Sequence, residues 1–225
     1  MSGGADTLER TVDVPAGSVT LQGDLALPAA AAGVVLFAHG SGSSRFSSRN
    51  RFVARALNAA GLGTLLIDLL TREEEAVDQR TAHLRFDIGL LAGRLASAVE
   101  WLRQDEATRG LPVGLFGAST GGGAALVAAA RAPEAVAAVV SRGGRPDLAG
   151  DALPHVRAAT LLIVGGDDVP VIAMNRDAMA RMRDVEVRLE IVPGASHLFE
   201  EPGTLEEVAR LAAGWFARHL AIRPS

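Results

Sequence analysis

Cysteine, lysine and tyrosine are all missing from this chain of 225 residues. Without cysteine there is no disulfide framework, no thiol nucleophile and no cysteine-ligated zinc. Without lysine there is no Walker A phosphate loop and no Schiff base to pyridoxal phosphate. The Tyr/Lys pair of a short-chain dehydrogenase cannot be assembled either. Charge of one sign is also in short supply. Twenty-two arginines face 26 acidic residues, and a net charge of −4 is too mild for a nucleic-acid-binding surface. No HExxH pattern or histidine pair offers a metal site, and adjacent Asp167 and Asp168 point in different directions. Neither a metal nor another cofactor is expected. Long apolar runs are lacking as well. Residues 25–38 are too few to span a bilayer and are broken by Pro28 and Gly33. Residues 1–15 hold acidic side chains and no apolar core of a signal peptide. The expectation is a cytoplasmic protein with no membrane or nucleic-acid partner; the oligomeric state is left open.

What the chain does contain is apolar residue, 48% of the total, enough for one domain over 1–225 to build a core without staples. Residues 7–14 and 18–27 alternate in polarity around Pro15-Ala16-Gly17, which reads as a hairpin. Continuous apolar runs follow at 33–38, 62–67, 112–116, 136–140 and 160–164, with a last strand at 185–192. Such runs suit parallel strands buried on both faces. Helical periodicity fills the gaps at 50–60, 86–102, 120–132, 171–182 and 204–220. The alternation predicts an α/β fold: an eight-stranded, mostly parallel sheet with helices on both faces.

Gly117-Ala118-Ser119-Thr120-Gly121 follows a predicted strand and opens a predicted helix. That is the strand–turn–helix setting a nucleophilic serine requires in a G-x-S-x-G elbow. A serine hydroxyl attacks only when a base takes its proton. Of the five histidines, His39 and His197 fall at strand C-terminal ends, where Ser119 also sits. His197 is the expected base. His39 is expected to brace the loop that follows it. A carboxylate must hold the imidazole, and either Asp167 or Asp168, after the strand at 160–164, can reach His197. Oxyanion donors are expected from the backbone N–H of Thr120 and, in the loop 39–43, from the N–H of Ser41.

Taken together, His39-Gly40, the Ser119 elbow, Gly165-x-x-Asp168 and Gly194-x-x-His197 resemble the α/β-hydrolase family. The similarity runs from about residue 7 to the C-terminal helix. The Gly-Ser-Gly-Ser-Ser-Arg that follows His39 resembles the compact, dienelactone hydrolase-like branch, whose namesake carries cysteine at the elbow where this chain has Ser119. The resemblance implies Asp168 as the acid of a Ser119–His197–Asp168 triad. It also implies hydrolysis of small-molecule, carboxylesterase-type ester substrates through an acyl-enzyme. Residues 141–159 are too few for the cap domain that many relatives insert, so no cap is expected. Residues 71–85 are the candidate lid, or else a solvated charged loop. Arg45, Arg142 and Arg145 crowd the segments expected to ring the site and are candidate ligands for a substrate carboxylate or phosphate. A peptidase or acyltransferase with the same triad, and a non-catalytic binding protein on the same scaffold, are the alternatives.

Overall fold

The alternating N-terminal residues form a hairpin of β1 (Thr7–Ala16) and β2 (Val19–Pro28), paired from Thr7↔Pro28 to Ala16↔Val19. The computed structural model describes residues 7–221. The first six residues of the stretch read as lacking a signal peptide therefore lie outside the described residues. The turn is tighter than the sequence pattern implies. Pro15 and Ala16 stay in the strand, and Gly17-Ser18 alone makes the reversal, with Gly17 at φ +66°. Pro15 is tolerated because β1 is an edge strand, where a missing N–H need not break a ladder.

The remaining strands are β3 (Val34–Ala38), β4 (Gly63–Ile67), β5 (Val113–Ala118), β6 (Val136–Arg142), β7 (Ala159–Gly165) and β8 (Val187–Val192). Their spatial order is β1-β2-β4-β3-β5-β6-β7-β8. Pairing is antiparallel from β1 through β4 and parallel from β4 to β8. Every residue of β3, β4 and β5 is buried, as their unbroken apolar runs require.

Helices α1 (Ser48–Ala59) and α6 (Thr204–His219) cover one face, packing Leu57 and Phe216 on the Phe37 and Phe116 side of the sheet. On the other face lie α3 (Ile88–Gln104), α4 (Thr120–Arg131) and α5 (Val169–Arg181), around Leu36, Leu65 and Leu115. No separate cap domain occurs among the described residues. Residues 146–155 wind instead as short 3-10 turns against α4 and α5. No described helix is long and apolar enough to cross a membrane.

The candidate lid or loop at 71–85 is neither unstructured nor merely solvated. It folds as α2 (Arg72–Thr81) followed by a 3-10 turn. Thr71 and Glu74 form a reciprocal capping box, and the carboxylate of Glu74 also receives the fork of the buried Arg94. The hydrogen bond from Arg94 holds the Glu74 carboxyl below its usual range, against the opposing effect of burial. The Thr-x-x-Glu spacing was present in the sequence; the long-range arginine was not visible there.

Close packing leaves a sharp test of the sheet–α6 contact. A Cβ on Gly114 would fall 2.6 Å and 2.9 Å from ring carbons of the fully buried Phe216. Gly114→Ala is expected to cost about 1–3 kcal/mol through overpacking. Gly93→Ala, in α3 with nothing within 4 Å of the new Cβ, is expected to gain about 0.5–1 kcal/mol. Urea unfolding of the two variants beside the wild type checks both signs.

Candidate active site

Parallel strands deliver their C-terminal ends to one edge, and the loops that leave those ends build the site. At the end of β5 the chain reverses into α4 within one residue. Ser119 sits there at φ +51°, ψ −121°, a strained conformation for a residue with a Cβ. The flanking glycines make the turn possible. A Cβ on Gly117 would come within 2.6 Å of Gly121 O and Gly122 Cα, and one on Gly121 within 2.6 Å of Ala38 O and His39 O. A side chain at Gly117 would press on the first turn of α4, and one at Gly121 would push the elbow off the end of β3.

His197 lies in the loop between β8 and α6. That loop is pinned by the Ser196 N–H, which donates to Glu201 at 3.0 Å. Its Nε2 stands 3.3 Å from Ser119 Oγ, and its Nδ1 stands 2.6 Å from Asp168 Oδ2. The serine contact is at the long end of the hydrogen-bond range. The two aspartates are placed differently. Asp168 occupies the N-cap of α5 but makes no capping bond, because its carboxylate turns to the imidazole. Asp167 is exposed, and its N–H donates to Ala195 O at 3.0 Å. Gly165 lets the histidine loop cross here, since a Cβ on it would stand 2.3 Å from Ala195 O.

His39 braces the loop after β3, as its position suggested. Its Nε2 accepts from the Leu69 N–H at 3.0 Å, so the proton resides on Nδ1, which donates to Gly40 O at 2.9 Å. Burial pushes its pKa below the ordinary histidine value. Ser41 is placed beside the elbow, but its N–H does not face open space. It donates to Thr120 Oγ1 at 2.8 Å. An open cleft begins here, lined by the 39–44 loop, Leu69, α2 and Thr120. Arg85 and Asp78 form part of its wall. Burial raises the Asp78 carboxyl, but the Arg85 guanidinium and the N–H groups of Leu84 and Arg85 outweigh this and hold it below the usual range.

The three candidate arginines have other engagements. Arg45 bonds the carboxylate of Asp68 through side chain and backbone and stacks 4.2 Å from the Phe46 ring. Arg145 grips Asp147 with two bonds of 2.8 Å and 2.7 Å. Both charges are therefore paired within the protein. Arg142 makes no ion pair among the described residues, and its Nε is buried without a partner. Burial, together with the charge of nearby Arg49, lowers its pKa to about 10. Its guanidinium lies 5.8 Å from the ring of Phe199, itself only 2% exposed. Among the described residues, no three His, Asp or Glu side chains converge in a way that could hold a metal.

Residues 21–220 match the dienelactone hydrolase family. The chain belongs to that family. A dienelactone hydrolase from Anabaena variabilis superposes with a TM-score of 0.93 at 64% identity, over 95% of this chain and 99% of that one. An esterase from Pyrococcus furiosus, at 16% identity, shares the fold with a TM-score of 0.75 over 95% and 93% of the two chains. A putative phosphoribosyl transferase of Mycobacterium tuberculosis is 57% identical over 212 residues, which is 94% of this chain and 47% of that protein. The family member described here thus spans about half the length of the curated relatives it matches.

Two outcomes test this geometry. Turnover should collapse in Asp168→Asn and persist in Asp167→Asn; the reverse pattern would overturn the assignment. The second concerns His39. Its folded pKa is depressed, so the unfolded chain binds the extra proton. Stability is then full above about pH 6.5, the unfolded value, and declines as pH falls below it toward the folded value. Urea midpoints followed from about pH 7 to about pH 5 should fall for the wild type and less steeply for His39→Asn.

Proposed function

We propose that this dienelactone hydrolase family member is a serine hydrolase of small carboxylic esters, with Ser119 as nucleophile, His197 as general base and Asp168 as its orienting acid. The supporting observation is the continuous chain of contacts from Ser119 Oγ through the two imidazole nitrogens to the Asp168 carboxylate, on a strained elbow beside an open cleft.

In this mechanism His197 Nε2 takes the Ser119 proton as Oγ bonds to the ester carbonyl carbon. Asp168 stays ionised, holds the proton on Nδ1 and stabilises the imidazolium. The tetrahedral oxyanion is met first by the Thr120 N–H, a first-turn helix donor with no partner inside α4. Collapse breaks the bond to the alcohol, which leaves with the proton from His197. Water then repeats the sequence on the acyl-enzyme, releases the carboxylic acid and restores Ser119.

Among the described residues, the one arginine that lines the cleft, Arg85, is paired with Asp78. We therefore propose neutral esters as the substrates. The transferase name of the mycobacterial relatives applies to proteins about twice as long. For this chain, the Ser119–His197–Asp168 constellation supports acyl rather than phosphoribosyl chemistry.

A panel of p-nitrophenyl esters tests the reading. Ser119→Ala should stay folded and lose on the order of 10⁶ in turnover. The wild-type rate should rise with pH as a histidine base loses its proton. Near-wild-type hydrolysis by Ser119→Ala would refute the assignment. In a matched pair of esters, the neutral one should be turned over at least as fast as one with a distal carboxylate. A preference for the charged ester that disappears in Arg142→Ala would return that arginine to the substrate site.

A further inference from the structure

The backbone donor that the loop after β3 offers is already in use. The Ser41 N–H donates to Thr120 Oγ1 at 2.8 Å, across a sequence separation of 79 residues. The contact follows from how tightly this loop lies on the elbow. A Cβ on Gly40 would be 3.2 Å from Ala118 O and 3.3 Å from Ser119 Cβ. The Thr120 side chain fills the gap that remains, with the residue only 3% exposed yet lining the cleft.

A threonine hydroxyl can accept and can also donate one hydrogen. Here Oγ1 accepts from Ser41, and no described residue accepts its hydrogen. Accepting a bond polarises the hydroxyl and strengthens it as a donor. Its backbone N–H, at the first position of α4, faces the same elbow.

We propose that the Thr120 hydroxyl is itself an oxyanion donor, with the Ser41 N–H acting behind it rather than on the substrate. The developing negative oxygen is met by the N–H and the O–H of one residue. No proton is transferred in this step; Thr120 keeps its hydrogen and Ser41 keeps its own. An oxygen bound to that hydrogen stands one hydrogen-bond length beyond Oγ1. The Ser41 N–H, already 2.8 Å behind Oγ1, is then out of direct reach. Deleting the hydroxyl is not repaired by uncovering the backbone donor. This proposal rests on the ester-hydrolase reading and names a catalytic group for it.

The experiment compares Thr120→Ser, Thr120→Val and Thr120→Ala by kcat and KM on p-nitrophenyl acetate. It adds the inhibition constant of an alkyl boronic acid, which forms a tetrahedral adduct on a reactive serine. Thr120→Ser keeps the hydroxyl and should stay close to the wild type in every measure. The valine and alanine variants should lose about 100-fold in kcat, with KM little changed and boronate affinity weakened by a similar factor. Thermal unfolding midpoints should remain near that of the wild type. Should valine unfold the chain, the serine and alanine variants decide alone. An alanine variant as active as the wild type, or more so, would show that Thr120 merely plugs the Ser41 N–H, and would overturn the proposal. A serine variant as impaired as alanine would overturn it too, by assigning the effect to packing. Both results leave the ester reading intact. A wild type with no Ser119-dependent turnover would instead remove that reading, and the proposal with it.

Discussion

The site depends on backbone meeting backbone where the strands end. β3, β5 and β7 stop at the same edge, and the loops leaving them touch within van der Waals distance. Gly121 sits under the carbonyls of Ala38 and His39, and Gly165 sits under those of Ala195 and Ser196. A methyl group at either position would demand a shift of main chain, not of a flexible side chain. The first contact holds the elbow against the end of β3, and the second holds the His197 loop against the turn that carries Asp168. The strained φ of Ser119 is maintained by that crowding and by the Ser119 N–H bond to Arg142 O.

Around this edge the protein fixes its loops with polar contacts of long sequence range. His39 ties the loop after β3 to the Leu69 N–H beyond β4. The buried Arg94 reaches from α3 to Glu74 and to the Leu69 carbonyl. Asp78 is buried and gathers Arg85 with two backbone N–H groups. A chain whose cations are all arginine makes such ties readily. The guanidinium is planar, always charged and forked, so it can satisfy a carboxylate and a carbonyl together. The same property explains why arginines crowding the site are poor evidence for a charged substrate. Arg45 and Arg145 have carboxylates as partners within the protein.

The wall of the cleft shows how packing changes the meaning of a segment. Residues 71–85, with their run of three glutamates, have the composition of a solvated loop. In the structure their middle glutamate is held by a buried arginine, and the segment stands as a helix beside the 39–44 loop. Capping at Thr71 starts the helix locally; the ion pair to α3 fixes where it lies.

By itself the sequence determined the order of the strands and of every α-helix but α2, the hairpin, the glycine-flanked Ser119 elbow and the position of His197 after the last strand. Each is written in short-range signals: hydrophobic period, turn residues, and a serine between glycines at a strand–helix junction. The resemblance already pointed to Asp168; the tertiary structure turns its carboxylate, and not that of exposed Asp167, toward His197. It alone sent the Ser41 N–H to the Thr120 hydroxyl, closed Arg142 in beneath Phe199, and paired Arg45 with Asp68. It also carried the hairpin strand through Pro15, which an edge position permits. These outcomes join residues from 23 to 79 positions apart in the hydrogen-bonded cases. Which donor meets which acceptor over such separations is set by how the chain packs in three dimensions, and no local pattern encodes it.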